Sequence, residues 1–84
     1  MYTLIYNKNT FLHKKNLEAA NLIKKVTKIC EELQINPYPI NSKQLYWDLK
    51  GKRSIRINLQ HRLVYEVVEK EKIVKVLSMW SHYE

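Results

Sequence analysis

Arg62-Leu63-Val64-Tyr65-Glu66-Val67-Val68-Glu69 leads through Lys70-Glu71-Lys72 into Ile73-Val74-Lys75-Val76-Leu77-Ser78-Met79-Trp80. Both runs are dense in Val, Leu, Ile and Tyr, residues that suit a pleated, half-buried surface. The charged link, residues 69–72, is far too short for a parallel crossover, so the two strands must be antiparallel neighbours. Period-two geometry divides the first run into Arg62, Val64, Glu66 and Val68 on one face and Leu63, Tyr65 and Val67 on the other. The second set reads as core, which leaves Arg62 on the open face of a sheet. Upstream, residues 52–58 alternate Arg53, Ile55, Ile57 against Ser54, Arg56, Asn58 and predict a further strand. Residues 59–61 form the turn between these strands, and Gly51 marks the turn before them. The C-terminal half is therefore expected to be an antiparallel three-stranded meander.

The N-terminal half supplies what the sheet must pack against. Residues 2–6, Tyr-Thr-Leu-Ile-Tyr, predict a short strand, and residues 7–10 break it. Leu22, Ile23, Val26, Ile29, Cys30 and Leu33 recur at three- and four-residue intervals, with Lys24, Lys25, Lys28, Glu31 and Glu32 opposite. Two helices are expected, over residues 10–17 and 19–33, with a break near residues 18–21; one bent helix is the alternative. Asn36-Pro37-Tyr38-Pro39 stops the second, because proline disfavours helix in the residue before it. A loop is expected to about Ser42, and residues 45–49, with Tyr46 and Trp47, fit either state. The helical stripe and one sheet face need each other for burial, so the fold class is a two-layer α+β domain. It has an N-terminal strand, two helices and the meander, in a single domain over residues 1–84.

Fifteen Lys and Arg against eight Asp and Glu give a formal charge of +7 on 84 residues. That sign and size raise the local concentration of polyanions, so RNA, DNA or an acidic protein is the expected partner. With 45% hydrophobic residues and one glycine the chain is not disordered. The single Cys30 excludes an intrachain disulfide framework and falls on the helical apolar stripe as a small buried hydrophobe. No stretch is apolar and long enough to span a membrane, and the N-terminus lacks the features of a secretory signal, so a cytoplasmic location is expected. Three scattered histidines and one cysteine lack zinc spacing, and no glycine-rich phosphate loop exists. Neither a metal nor another cofactor is expected.

The apolar run 73–80 leads directly into Ser81-His82-Tyr83-Glu84. Tight hairpins bring the start of the Arg62 strand beside the end of that run, so Arg62 and His82 should be close. Arg56 joins them if the register allows. A guanidinium beside an imidazole and a phenol suits a phosphodiester. RNA supplies its own nucleophile, the 2′-hydroxyl, and cleavage then needs a base, a cation for the phosphorane charge and an acid for the leaving 5′-oxygen. Arginine's planar fork fits phosphate oxygens. Arg56, Lys43, Arg53 and Lys52 are candidate phosphate contacts, and Tyr46 a candidate surface for base stacking. Each has a plainer reading. Arg62 can pair with Glu66 or the Glu84 carboxylate, His82 can be an exposed surface histidine, and Tyr83 can cover a core edge. His61, at a turn, and His13, isolated on a helix, read as surface residues.

The segments Leu49-Lys50-Gly51, 56–67 (Arg-Ile-Asn-Leu-Gln-His-Arg-Leu-Val-Tyr-Glu-Val) and 78–84 (Ser-Met-Trp-Ser-His-Tyr-Glu) resemble the Txe/YoeB toxins of bacterial toxin–antitoxin modules, within the RelE/ParE superfamily. The His-Arg-Leu-Val-Tyr run and the terminal His-Tyr carry the likeness. The resemblance implies a small α+β fold, a ribosome-dependent, metal-independent endoribonuclease that cuts mRNA in the decoding site, and neutralisation by a cognate antitoxin, expected to be acidic. The implied partners are mRNA on the ribosome, ribosomal RNA and that antitoxin, with a homodimer or a toxin–antitoxin hetero-oligomer as the assembly. It places the catalytic arginine on Arg62, the catalytic histidine on His82 and the tyrosine on Tyr83. Two positions depart from the pattern. Lys43 stands where the family carries a glutamate implicated as general base, and Ile55-Arg56 replaces a pair of arginines. Either His82 takes the base role, or the site works mainly by positive electrostatics, or the activity is weakened. Two rivals stand beside the enzyme: a non-catalytic inhibitor of the ParE, gyrase-binding kind, and a ribosome-binding module that no longer cuts.

Overall fold

The computed structural model describes residues 1–45 and 51–81. In chain order they form β1 (Thr3–Tyr6), α1 (Lys8–Ala19), α2 (Ile23–Ile35), β2 (Ser42–Gln44), β3 (Lys52–Arg56), β4 (Arg62–Val68), a 3-10 turn (Glu69–Glu71) and β5 (Ile73–Ser81). The strands make one sheet in the order β1-β5-β4-β3-β2. Strands β3, β4 and β5 are the expected antiparallel meander, β2 extends it on one side, and β1 lies parallel to β5 on the other. The fold is α+β, with both helices against one face of this mixed sheet.

The helix ends lie two to four residues from where periodicity places them, and capping explains the shifts at both ends of α1. Asn7 does not simply break the chain. Its side chain accepts from the Thr10 amide at 3.3 Å, while the Thr10 hydroxyl donates to the Asn7 carbonyl at 2.7 Å. This N-cap starts α1 at Lys8. At the other end Asn21 adopts a left-handed backbone (φ 59°). The Leu22 amide then bonds the Leu17 carbonyl at 2.8 Å, and the Asn21 amide bonds that of Glu18 at 3.1 Å. That is a Schellman termination, which makes two helices rather than one bent helix. Helix α2 stops at Ile35, two residues before Pro37.

The core lies between this layer and the sheet. Leu17, Val26, Ile29, Cys30 and Leu33 from the helices meet Ile55, Ile57, Leu63, Tyr65, Val74, Val76 and Met79. Tyr65 is fully buried, and its hydroxyl donates to the Pro37 carbonyl at 2.7 Å, which satisfies a polar group that would otherwise be costly there. His13 is not isolated on the surface as expected: its Nδ1 accepts from the Met79 amide at 3.3 Å. Among the described residues no helix is long and apolar enough to cross a membrane.

Far from Arg62, the 3-10 turn is tied to the rest of the chain by one carboxylate. Glu69 Oε1 accepts from the Tyr2 hydroxyl at 2.5 Å and Oε2 from that of Tyr38 at 2.6 Å, while Lys72 Nζ stands 3.7 Å from Oε1. The Tyr2 bond, then the Tyr38 bond, hold the Glu69 carboxyl below its ordinary value of 4.5. A carboxyl depressed by folding stabilises the native state above its unfolded pKa. Its contribution is lost as pH falls from about 4.5 through the lower, folded value. Glu69→Gln is therefore expected to flatten the acid limb of a thermal-stability profile below about pH 4.5 and to lower the melting temperature at pH 7. Parallel acid limbs in the two proteins would show that the two tyrosine bonds contribute no folding energy.

Candidate nucleic-acid interface

The face of the sheet turned away from the helices is built by cross-strand register. Arg56 lies directly opposite Arg62, and on the other side of β4 Arg62 lies opposite Ser81. One rung along, Lys43 of β2 faces Ser54, and Ser54 faces Val64. Farther along, Glu66 is flanked by Lys52 and Lys75. The Arg62 guanidinium reaches diagonally across the strands and donates through Nη1 to the Ser54 hydroxyl at 3.2 Å. Ser54 is fully buried and small, so the guanidinium can lie along the sheet with its other donors uncommitted to Ser54.

Among the described residues Arg62 makes no ion pair; the carboxylate bridge found there joins Glu69 and Lys72. Glu66 stands between two lysines in the register, four residues along β4 from Arg62, or about 13 Å. A pairing of Arg62 with Glu66 is thus not what forms; the other expected partner, Glu84, lies outside the described residues. Arg56 and Arg62 instead place like charges opposite one another in the register, an arrangement that is unfavourable in a sheet. An anion seated between them would reverse that sign.

The remaining candidates divide. Lys43 joins the group, exposed on β2 opposite Ser54, one rung along from the Arg56–Arg62 pair. Arg53 does not join it. It alternates onto the helix side, where Nε and Nη2 donate to Ser42 Oγ at 3.2 and 2.8 Å and the guanidinium carbon lies 5.3 Å from the Tyr38 ring centre. Its donors brace the loop before β2. Lys52 shares the Arg62 face but lies about 13 Å along β3 from Arg56, beside Glu66. His82, Tyr83 and Tyr46 lie outside the described residues. Ser81, the residue before His82 in the chain, is the register partner of Arg62.

Two residues escaped the sequence reading. Ser54, which anchors Arg62, was visible only as a polar position two residues before Arg56; its role depends on a register the sequence does not encode. His61 was expected at the surface and is buried, 5% exposed. The turn curls inward because Asn58 Oδ1 accepts from the amides of Gln60 at 2.9 Å and His61 at 2.7 Å, while the His61 carbonyl accepts from Ile57 at 2.9 Å. The same bonds end β3 at Arg56 instead of Asn58.

No curated protein matches the chain by sequence. Solved structures do. The YoeB–YefM complex from Staphylococcus aureus contains a chain 27% identical, with a TM-score of 0.79 and 99% of each chain covered. The YoeB dimer from the same organism is 26% identical, with a TM-score of 0.80 and 98% of each chain covered. A YoeB/ParE toxin from Agrobacterium tumefaciens has the same fold, with a TM-score of 0.85 at 21% identity, covering 96% of this chain and 99% of that one. Residues 5–84 match the family of ParE toxins of type II toxin–antitoxin systems. The cationic row built on β2, β3 and β4 thus sits on the YoeB fold, and the chain belongs to the ParE toxin family of the RelE/ParE superfamily.

Proposed function

We propose that this toxin is a ribosome-dependent mRNA endoribonuclease whose site is the row Lys43, Arg56 and Arg62 together with His82 and Tyr83. The observation that carries the reading is the directly opposed Arg56 and Arg62, with Ser81 on the far side of Arg62. Two arginines opposed in register, neither in an ion pair among the described residues, suit a phosphodiester. The substrate 2′-hydroxyl attacks the adjacent phosphorus, the bond to the 5′-oxygen breaks, and a cyclic phosphate and a free 5′-hydroxyl result. Arg62 bears charge on the equatorial oxygens, His82 moves the protons, and Tyr83 orients the nucleotide or assists proton transfer. Arg56 and Lys43 hold the flanking phosphates. The formal charge of +7 supports docking to ribosomal RNA and mRNA.

The similarity to the Staphylococcus YoeB–YefM toxin–antitoxin complex supports neutralisation by a cognate antitoxin, for which the basic face calls for an acidic segment. The Staphylococcus YoeB dimer supports self-association as a further assembly. The whole chain is read as one toxin domain acting in the cytoplasm. A second reading, inhibition of gyrase without cutting, draws on the ParE description of the family.

Position 43 tests the mechanism. Lys43 lies opposite the serine that anchors Arg62, so a carboxylate there would compete with phosphate for the guanidinium. Expressed without antitoxin, the wild type is expected to give discrete breaks in translated mRNA by primer extension. Lys43→Glu is expected to cut on the order of tenfold less. A large gain from the glutamate would mean that the native site lacks an efficient base and that its cations do not carry the reaction.

A further inference from the structure

The far end of β5 is held by less sheet than the rest. Strand β1 ends at Tyr6, opposite Val76, and the Asn7 amide closes that edge on the Val76 carbonyl at 3.2 Å. Beyond Val76 no strand lies on that side of β5 among the described residues. On its other side the ladder with β4 slips: Tyr65 pairs with Val76 but Val64 pairs with Ser78, one extra residue on β5. Such a bulge interrupts regular bonding and increases local twist. The segment that carries Ser81 to its place beside Arg62 therefore starts from an irregular rung with one open edge.

His13 closes that edge. Thr10, His13 and Leu17 share one face of α1 by their three- and four-residue spacing, and Thr10 and Leu17 are buried. The imidazole Nδ1 accepts from the Met79 amide at 3.3 Å, so the acceptor that a neighbouring strand would provide comes from a helix side chain. The nitrogen that accepts carries no proton, which fixes the ring's hydrogen on Nε2. Met79 is two residues from Ser81, about 7 Å along the strand.

We propose that His13 is a positioning residue for the reaction: by holding the Met79 amide it fixes the end of β5 that sets Ser81 opposite Arg62 and from which the chain passes to His82. It touches no substrate. The inference rests on the functional reading above for its catalytic consequence, and on the Met79 bond alone for its structural one. Two variants separate the acceptor from the bulk. His13→Leu fills the space without an acceptor, and His13→Asn restores one, because Oδ1 is attached at the same carbon as Nδ1. Amide hydrogen exchange at Met79 and cleavage of mRNA on programmed ribosomes are measured on all three proteins.

In His13→Leu the Met79 amide is expected to exchange about tenfold faster or more, and kcat to fall by a similar factor. KM is expected to stay within about twofold, since the RNA-holding cations are untouched. His13→Asn is expected to recover most of both losses. Unchanged exchange and kcat in His13→Leu overturn the proposal, and so do equal losses in the leucine and asparagine variants, which would make the imidazole ring itself the agent. A wild type that cuts no mRNA overturns the functional reading and the catalytic part of this proposal together. A wild type that cuts, with His13→Leu cutting equally fast, overturns this proposal alone.

Discussion

Replacing Arg62 with alanine is expected to slow mRNA cleavage on programmed ribosomes by about 10²–10³-fold, the usual effect of removing one donor aimed at developing negative charge. The magnitude follows from what Arg62 does in the resting protein. It is half-buried, its Nη1 is bonded to a neutral hydroxyl, and no carboxylate among the described residues neutralises it. A guanidinium so placed would meet a phosphodiester in surroundings less polar than bulk water, where Coulomb terms are larger. Arg62→Lys is expected to recover little. An ammonium offers a point charge in place of a planar fork, and it cannot reproduce the parallel two-bond geometry on a phosphate while anchored on Ser54. Stability should move little in either variant. Loss of the Ser54 bond is offset by relief of the Arg56–Arg62 repulsion, so melting curves close to wild type serve as the control. Full cleavage by Arg62→Ala would remove the central cation from the mechanism.

Leu33→Ala is expected to be the most damaging of the stability changes considered. Leu33 is 0% exposed at the centre of the interface between α2 and the sheet. Truncating such a leucine costs about 2–5 kcal/mol, because the lost transfer energy is joined by an unfilled cavity. A chain of this length has roughly 4–13 kcal/mol to lose, at about 0.05–0.15 kcal/mol per residue. Urea unfolding should therefore show the midpoint fall by a large fraction with little change in slope. Lys28→Ala, on the exposed side of the same helix, should stay within about 0.5 kcal/mol of wild type. A Leu33→Ala protein as stable as Lys28→Ala would mean that α2 is not packed on the sheet as described.

The parts of the fold that follow a strong local period were legible from residues alone. The 3.6-residue stripe Val26, Ile29, Cys30 and Leu33 is buried as read, and so are Leu63 and Tyr65 on the helix side of β4. Strand β2 was not legible, because Ser42-Lys43-Gln44 is short, wholly polar and lies on a sheet edge, where no alternation is required. Strand β1 was legible as a strand but not as the parallel neighbour of β5, since local propensity says nothing about a partner seventy residues away. The start of α1 was misread because Asn7 is a good turn residue for the same reason that it is a good cap: its side chain bonds a nearby backbone amide.

The site divides along the same line. Arg62 on the open face, and its approach to the end of β5, followed from strand alternation and two tight hairpins. The Arg56–Arg62 opposition was conditional on register and is realised. Arg53 was grouped by charge alone, and alternation sends it to the other face, where Ser42 and Tyr38 hold it. The burial of His61 and the bond from Met79 to His13 depend on how a turn and a helix pack in three dimensions, which no periodicity reports.

In the mechanism proposed above, opposed arginines let an RNA be cut through its own 2′-hydroxyl. Analysis of the ends left in mRNA by the purified toxin on programmed ribosomes tests it most directly. A 2′,3′-cyclic phosphate on the upstream fragment and a 5′-hydroxyl on the downstream one, lost together in Arg62→Ala, is the predicted result. Breaks that leave 5′-phosphate ends, or intact mRNA under conditions where the protein still arrests growth, would contradict it.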